Sequence, residues 1–137
     1  MREMYRRMLF NVLARNQDDH TRNVAFLMDP QGRWTLSPAF DITWSFNPAG
    51  KWANRHQMSV NGKRDDFTQG DLLATAEQMG IRGAPALIEQ VAAAVSRWAR
   101  HAEEAGVDPE MKRTIGRSHR LDLAKRHSTP RGVRRTG

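Results

Sequence analysis

Between Arg2 and Arg15 the apolar positions are Met4, Tyr5, Met8, Leu9, Val12 and Leu13. That recurrence at three and four residues predicts an amphipathic helix with Arg2, Arg6 and Arg7 on its wet side. The helix is expected to stop near Asn16, where Asn and Asp side chains compete for backbone hydrogen bonds, so the polar stretch that follows sits on a loop held by a helix. Residues 24–28 read as a short buried strand. Asp29-Pro30-Gln31-Gly32 follows with the residues of a type I turn, residues 33–36 return as the partner strand, and Ser37-Pro38 ends the ladder because proline has no N–H to donate. Residues 42–56 have no clean period, and Asn47-Pro48-Ala49-Gly50 marks a loop.

Met58-Ser59-Val60 alternates like a strand up to Asn61-Gly62, a two-residue hairpin signal. Thr68 and Asp71 have the spacing of a capping box. A helix is expected from there to about Met79, with Gly80 at the C′ position. Leu87, Ile88, Val91, Ala92, Val95, Trp98, Ala99 and Ala102 predict one long helix over residues 84–104, ended by Gly106. Asp108-Pro109-Glu110 opens a last helix, and periodicity is lost after about Leu123. No internal repeat is found. The expected fold class is mainly α with one or two small β-hairpins.

A chain of 137 residues, 39% hydrophobic and 27% charged, suits one folded domain and argues against disorder throughout. No apolar run approaches the roughly 20 residues needed to span a bilayer, so no membrane association is expected. Met1-Arg2-Glu3-Met4 lacks the apolar region and cleavage site of a secretory signal. With no cysteine there is no disulfide framework, thiolate nucleophile or Cys zinc site. A cytoplasmic location is expected.

The net charge of +7 is unevenly spread. Residues 1–110 carry 13 Lys/Arg against 14 Asp/Glu, whereas residues 111–137 carry 9 Lys/Arg against Asp122 alone. Such a tail can attract phosphate backbones by counterion release, as a weak non-specific nucleic-acid contact; it can equally be a solvated end.

The chemistry concentrates in Asn16-Gln17-Asp18-Asp19-His20-Thr21-Arg22-Asn23. Adjacent carboxylates in a loop commonly do no more than cap a turn. Here, however, Asp18 and Asn23 stand in the spacing D-x-x-x-x-N after a helix, and a hairpin then leads to Asp41. This is the spacing of a protein-kinase catalytic loop, in which the Asp accepts the substrate hydroxyl proton and the Asn and a later Asp hold Mg²⁺. Phosphoryl transfer asks for a positioned hydroxyl, a fixed metal and offset charge, and oxygen donors suit that hard ion. His20 has three readings: holding the loop, contacting nucleotide phosphate, or binding a transition metal with Asp18 and Asp19. Arg22 can neutralise a phosphate or simply be exposed. Trp34, Trp44, Trp52 and Trp98 read as core or groove residues. No G-x-G or Walker pattern occurs among the ten glycines, and no lysine precedes Lys51. Base and metal ligands are therefore present without a nucleotide cradle.

Three ordered motifs carry a family resemblance: residues 16–23, Leu36-Ser37-Pro38-Ala39-Phe40-Asp41, and Ser59-Val60-Asn61-Gly62-Lys63-Arg64-Asp65-Asp66-Phe67. Together, over about Met4 to Gly106, they resemble the C-terminal lobe of HipA-like serine/threonine kinases, the toxins of type II toxin–antitoxin modules. The resemblance implies a mostly helical kinase-like C-terminal lobe, assigned to residues 1–110; by its charge and lost periodicity, the segment 111–137 is expected to be a basic helix and tail, partly disordered. It puts Asp18 in the place of the proton-accepting Asp and Asn23 and Asp41 in those of the Mg²⁺ ligands. His20, Thr21, Arg22, Asn23, Phe40 and Asp41 would lie along the nucleotide, ATP. It also implies a protein substrate, with aminoacyl-tRNA synthetases the best-known class, and restraint by a DNA-binding antitoxin. The family's N-terminal portion, with phosphate loop, lysine and adenine-binding hinge, is absent from the sequence. Ile42 stands where ordinary protein kinases continue with Phe-Gly.

Three readings follow. The first is an incomplete kinase, inactive alone and complemented by an N-lobe in trans. The second is a non-catalytic remnant that binds an antitoxin-like partner, or DNA through its basic tail. The third is a metal-dependent hydrolase built on Asp18, Asp19, His20 and Asp41.

Overall fold

The computed structural model describes residues 1–125; residues 126–137, the end of the expected basic helix and tail at 111–137, lie outside the described residues. Helix α1 (Arg2–Leu13) buries Tyr5, Leu9, Val12 and Leu13 as the stripe predicts. It packs on α3 (Ala84–Val95), whose Leu87, Ile88, Val91 and Val95 face it across the core. Leu72 and Ala76 of α2 (Gln69–Gln78) and the nearby Val60 and Phe67 join the same cluster. The buried Tyr5 hydroxyl donates to the Leu72 carbonyl at 2.9 Å, and burial pushes its pKa up to about 12.

The capping box forms as expected. Thr68 accepts from the Asp71 backbone N–H at 3.2 Å while Asp71 accepts from the Thr68 N–H at 2.8 Å. Gly80 ends the helix in the left-handed region, at φ +65°.

The long helix predicted over residues 84–104 is two helices, α3 and α4 (Trp98–Glu104). The break has a local cause. Ser96 turns its hydroxyl back onto the Ala93 carbonyl at 2.8 Å, competing with the ladder. It also has a tertiary one, because the Trp98 indole N–H donates to the Lys112 carbonyl of the last helix at 2.9 Å. That helix, α5 (Pro109–Ser118), is capped by Asp108, which accepts from the Glu110 and Met111 N–H groups. The chain then returns to the core: the Arg120 N–H donates to the Leu13 carbonyl at 2.9 Å and Leu123 is buried with α1 and α3.

β1 (Phe26–Met28) and β2 (Trp34–Leu36) form one antiparallel hairpin, with Phe26 opposite Leu36 and Met28 opposite Trp34. The turn is tied by Asp29, which accepts from the Gln31 and Arg33 N–H groups. The expectation of a buried strand is corrected here. Phe26, Leu27, Met28 and Trp34 are all more than half exposed, because among the described residues no layer covers this two-stranded sheet. The second expected hairpin contracts to a single bridge, Val60 with Lys63, around Asn61 and Gly62 at φ +50° and +76°. Both φ values are those a type I′ turn demands. The architecture is thus mainly helical with a small antiparallel sheet, and no described helix is long and apolar enough to cross a membrane.

Candidate functional site

Arg15 leaves α1 in the left-handed region, φ +59°, with its guanidinium 4.3 Å from the Phe46 ring centre and its Nε donating to the Ser118 carbonyl. The loop then zips onto the segment that follows Asp41. The Gln17 N–H donates to the Ser45 carbonyl at 2.9 Å, and the Ser45 N–H to the Arg15 carbonyl at 3.0 Å. Asn16 and Ser45 thereby pair in parallel. The buried Asn16 side chain also reaches across, its amide donating to Asn11 Oδ1 at 3.0 Å and to the Asp41 carbonyl at 3.5 Å. Gln17 is fully buried; oriented by its neighbours, its amide donates to the Ala53 carbonyl and accepts from Arg15 and Arg120. Asp41 itself sits at φ +53°, a left-handed conformation that a short polar side chain tolerates best, and its side chain is exposed.

The adjacent aspartates part company. Asp18 is exposed, with 51% of its side-chain surface open and His20 Nε2 at 4.0 Å from Oδ1. Asp19 is buried. Its Oδ1 accepts from the Gln57 and Met58 N–H groups at 2.8 and 3.2 Å, and its Oδ2 meets His56 Nδ1 at 2.8 Å. His56 is wholly buried against Phe67, and nothing in the aperiodic stretch around it marks it as the partner of a residue 37 positions earlier. Asp19 is therefore the peg that holds the loop, and Asp18 is the carboxylate on offer.

Thr21–Asn23 form one 3₁₀ turn, which brings the Asn23 amide back to donate to the Asp18 carbonyl at 3.2 Å. Asp18 and Asn23 are thus in direct contact, and the Asp41 carbonyl meets Asn16 at the start of the same loop. Thr21, Arg22 and Phe40 stand exposed, while His20 and Asn23 are half-buried. Behind the loop lies a cavity of about 180 Å³ whose wall includes Asn16, Asp19, His20, Asn23 and Ile42. Sequence reasoning missed Arg7, which joins α1 to the end of the hairpin by donating to the Ser37 carbonyl at 2.6 Å.

The hydrolase reading fails on its ligands. Both Asp19 oxygens are already engaged, and among the described residues no group of three or more His, Cys, Asp or Glu side chains is placed to hold a metal.

A family model described as the HipA-like C-terminal domain matches residues 1–102. No curated protein and no solved structure matches the chain. A match over most of the sequence, ending within α4, agrees with the loop, hairpin and capped helix described above: the chain belongs to the HipA-like C-terminal domain family.

Proposed function

We propose that this chain is the base- and metal-bearing lobe of an ATP-dependent protein serine/threonine kinase of toxin–antitoxin type, working with a nucleotide-cradling lobe outside these 137 residues. The Asn23–Asp18 contact carries the reading. With its amide nitrogen given to the Asp18 carbonyl at 3.2 Å, Asn23 keeps Oδ1 as an oxygen donor. The Asp18 carboxylate meanwhile stands exposed in the same loop and Asp41 beyond the hairpin.

This donor set fits Mg²⁺ and ATP phosphate. It comprises two carboxylates without an Arg or Lys partner among the described residues and an amide oxygen, the ligands a hard cation takes alongside water and phosphate. His20 Nδ1, buried and unpartnered, adds a group that still lacks its hydrogen bond. Mg²⁺–ATP supplies the phosphoryl group and the charge neutralisation. The chain's own residues do the rest. Asp18 orients the acceptor hydroxyl and takes its proton, a role contributing roughly 10²–10⁴-fold. Asn23 and Asp41 hold the cation, and His20, Thr21, Arg22 and Phe40 line the nucleotide's path. The exposed apolar hairpin of Phe26, Leu27, Met28 and Trp34 is the surface on which the nucleotide-cradling lobe docks.

The test supplies a HipA-type N-lobe in trans and follows transfer of labelled γ-phosphate to protein. Transfer is expected only with both lobes and Mg²⁺, and Asp18→Asn should lower it about 10²-fold or more. Complemented protein that never transfers phosphate, or an Asp18→Asn variant as active as the parent, overturns the reading.

A further inference from the structure

Trp44 and Trp98 come from different parts of the chain and are tied to the same helix by their ring nitrogens. The Trp98 N–H donates to the Lys112 carbonyl and the Trp44 N–H to the Ser118 hydroxyl, each at 2.9 Å, at two places along α5. Gly116 lets that helix come close, since a Cβ there would stand 3.3 Å from Trp98 Cδ1. The His119 ring meets Trp98 edge-on, with centroids 5.9 Å apart. Both indoles are therefore fixed, with their polar ends spent. Yet both stay half-buried, and neither belongs to the core cluster between α1 and α3.

What they frame instead is a second cavity, of about 460 Å³. Phe10 of α1, Ile42, Val95 of α3 and Ile115 of α5 extend its apolar wall. Its polar residues are Thr43, His101 and His119, and no Lys, Arg, Asp or Glu among the described residues stands in it. Burial lowers the His119 pKa, which keeps that ring neutral at pH 7. A charged guest would shed its water here without gaining a counter-charge. A flat apolar guest meets no such cost, and aromatic rings packed at their preferred geometries attract beyond the area they bury. With the tryptophans already held, little side-chain freedom is lost on binding. An apolar cavity of roughly 150 Å³ accepts benzene, so this one has room for fused rings.

We infer that this cavity is a binding site for an uncharged, fused-ring aromatic molecule held against Trp44 and Trp98. Asp18, His20, Asn23 and Asp41 are not in its wall, so the site does not depend on the kinase reading. Two of its residues, Ile115 and His119, lie beyond residue 102, where the family match ends.

The four tryptophans make the test direct. The full chain is labelled with 5-fluorotryptophan, its ¹⁹F signals are assigned by replacing each tryptophan in turn with phenylalanine, and 2-naphthol is titrated. Saturable shifts are expected at Trp44 and Trp98, with Trp34 and Trp52, both exposed and outside the wall, unmoved. Decahydro-2-naphthol, similar in shape but without aromatic rings, should bind about 2- to 10-fold more weakly. Naphthalene-2-sulfonate and a naphthalene bearing a trimethylammonium group should bind about tenfold more weakly or worse. Thr43→Trp crowds the cavity from an exposed position, and Ala94→Phe crowds it from α3. Each should weaken 2-naphthol about tenfold or more. Melting curves check that both fold, and Thr43, outside the core, decides the matter if Ala94→Phe does not. The inference is overturned by the absence of saturable shifts, by equal shifts at all four tryptophans, by undiminished binding to folded Thr43→Trp, or by any of the three comparison compounds matching 2-naphthol. No ATP or second lobe enters the measurement, so its failure is distinct from failure of phosphoryl transfer.

Discussion

Replacing Asp19 by alanine strips three donors of their acceptor at once: the Gln57 and Met58 N–H groups and the His56 ring. An orphaned buried donor costs about 1–3 kcal/mol. Gln57 is half-buried and Met58 is 38% exposed, so water can partly replace what those two lose. His56 is 0% exposed and gains no such relief. The sum is about 3–5 kcal/mol, a large share of a typical domain's total stability. Asp18→Ala, one residue away, removes an exposed carboxylate whose nearest partner is His20 at 4.0 Å, and should change stability by less than about 0.5 kcal/mol. Urea denaturation separates the two. For a small domain the slope is about 1–3 kcal/mol per molar, so Asp19→Ala should lower the midpoint by about 1–5 M while Asp18→Ala leaves it in place. A drop under about 0.5 M for Asp19→Ala, or equal losses from both neighbours, would refute the division into a buried peg and an exposed base.

Asp71 gives a pH dependence of known sign. Lys63 at 2.8 Å, then Asn61 and Thr68, hold its carboxyl well below the usual carboxylate range. That contribution is complete above the unfolded pKa of about 4 and is lost as pH falls below it. Asp71→Asn should be less stable at neutral pH yet show a flatter acid limb in melts between about pH 4 and 2; parallel limbs would sink the assignment. Leu123→Ala should cost about 2–4 kcal/mol in the same urea assay, because this residue closes the core from beyond α5; a neutral result would mean the segment packs only loosely. A DNA-binding test of the basic end should delete residues 126–137 rather than 111–137, since the longer cut also removes Ile115, Arg120 and Leu123 from the folded body. The short deletion removes four arginines and should reduce the salt slope of DNA retention by about 3–4; an unchanged slope would move the contact into the folded part.

What the sequence made legible is what its neighbours decide. The Thr68–Asp71 box and the Asn61-Gly62 turn each close within four residues, and α1 is written in one stripe. Burial of residues 26–28 was not legible, because an apolar run records a preference for cover while the cover itself belongs to another layer. The break after Val95 depends partly on Lys112, and the Asp19–His56 pair spans 37 residues. Even the choice between Asp18 and Asp19 has a backbone origin. Asn16 pairs with Ser45 at the start of the loop, its own side chain buried against Asn11. Gln17 and Asp19 go inward to their partners, and Asp18 is left facing out. The spacing D-x-x-x-x-N names the base, and the buried partners of Asp19 are what withdraw its neighbour from that role.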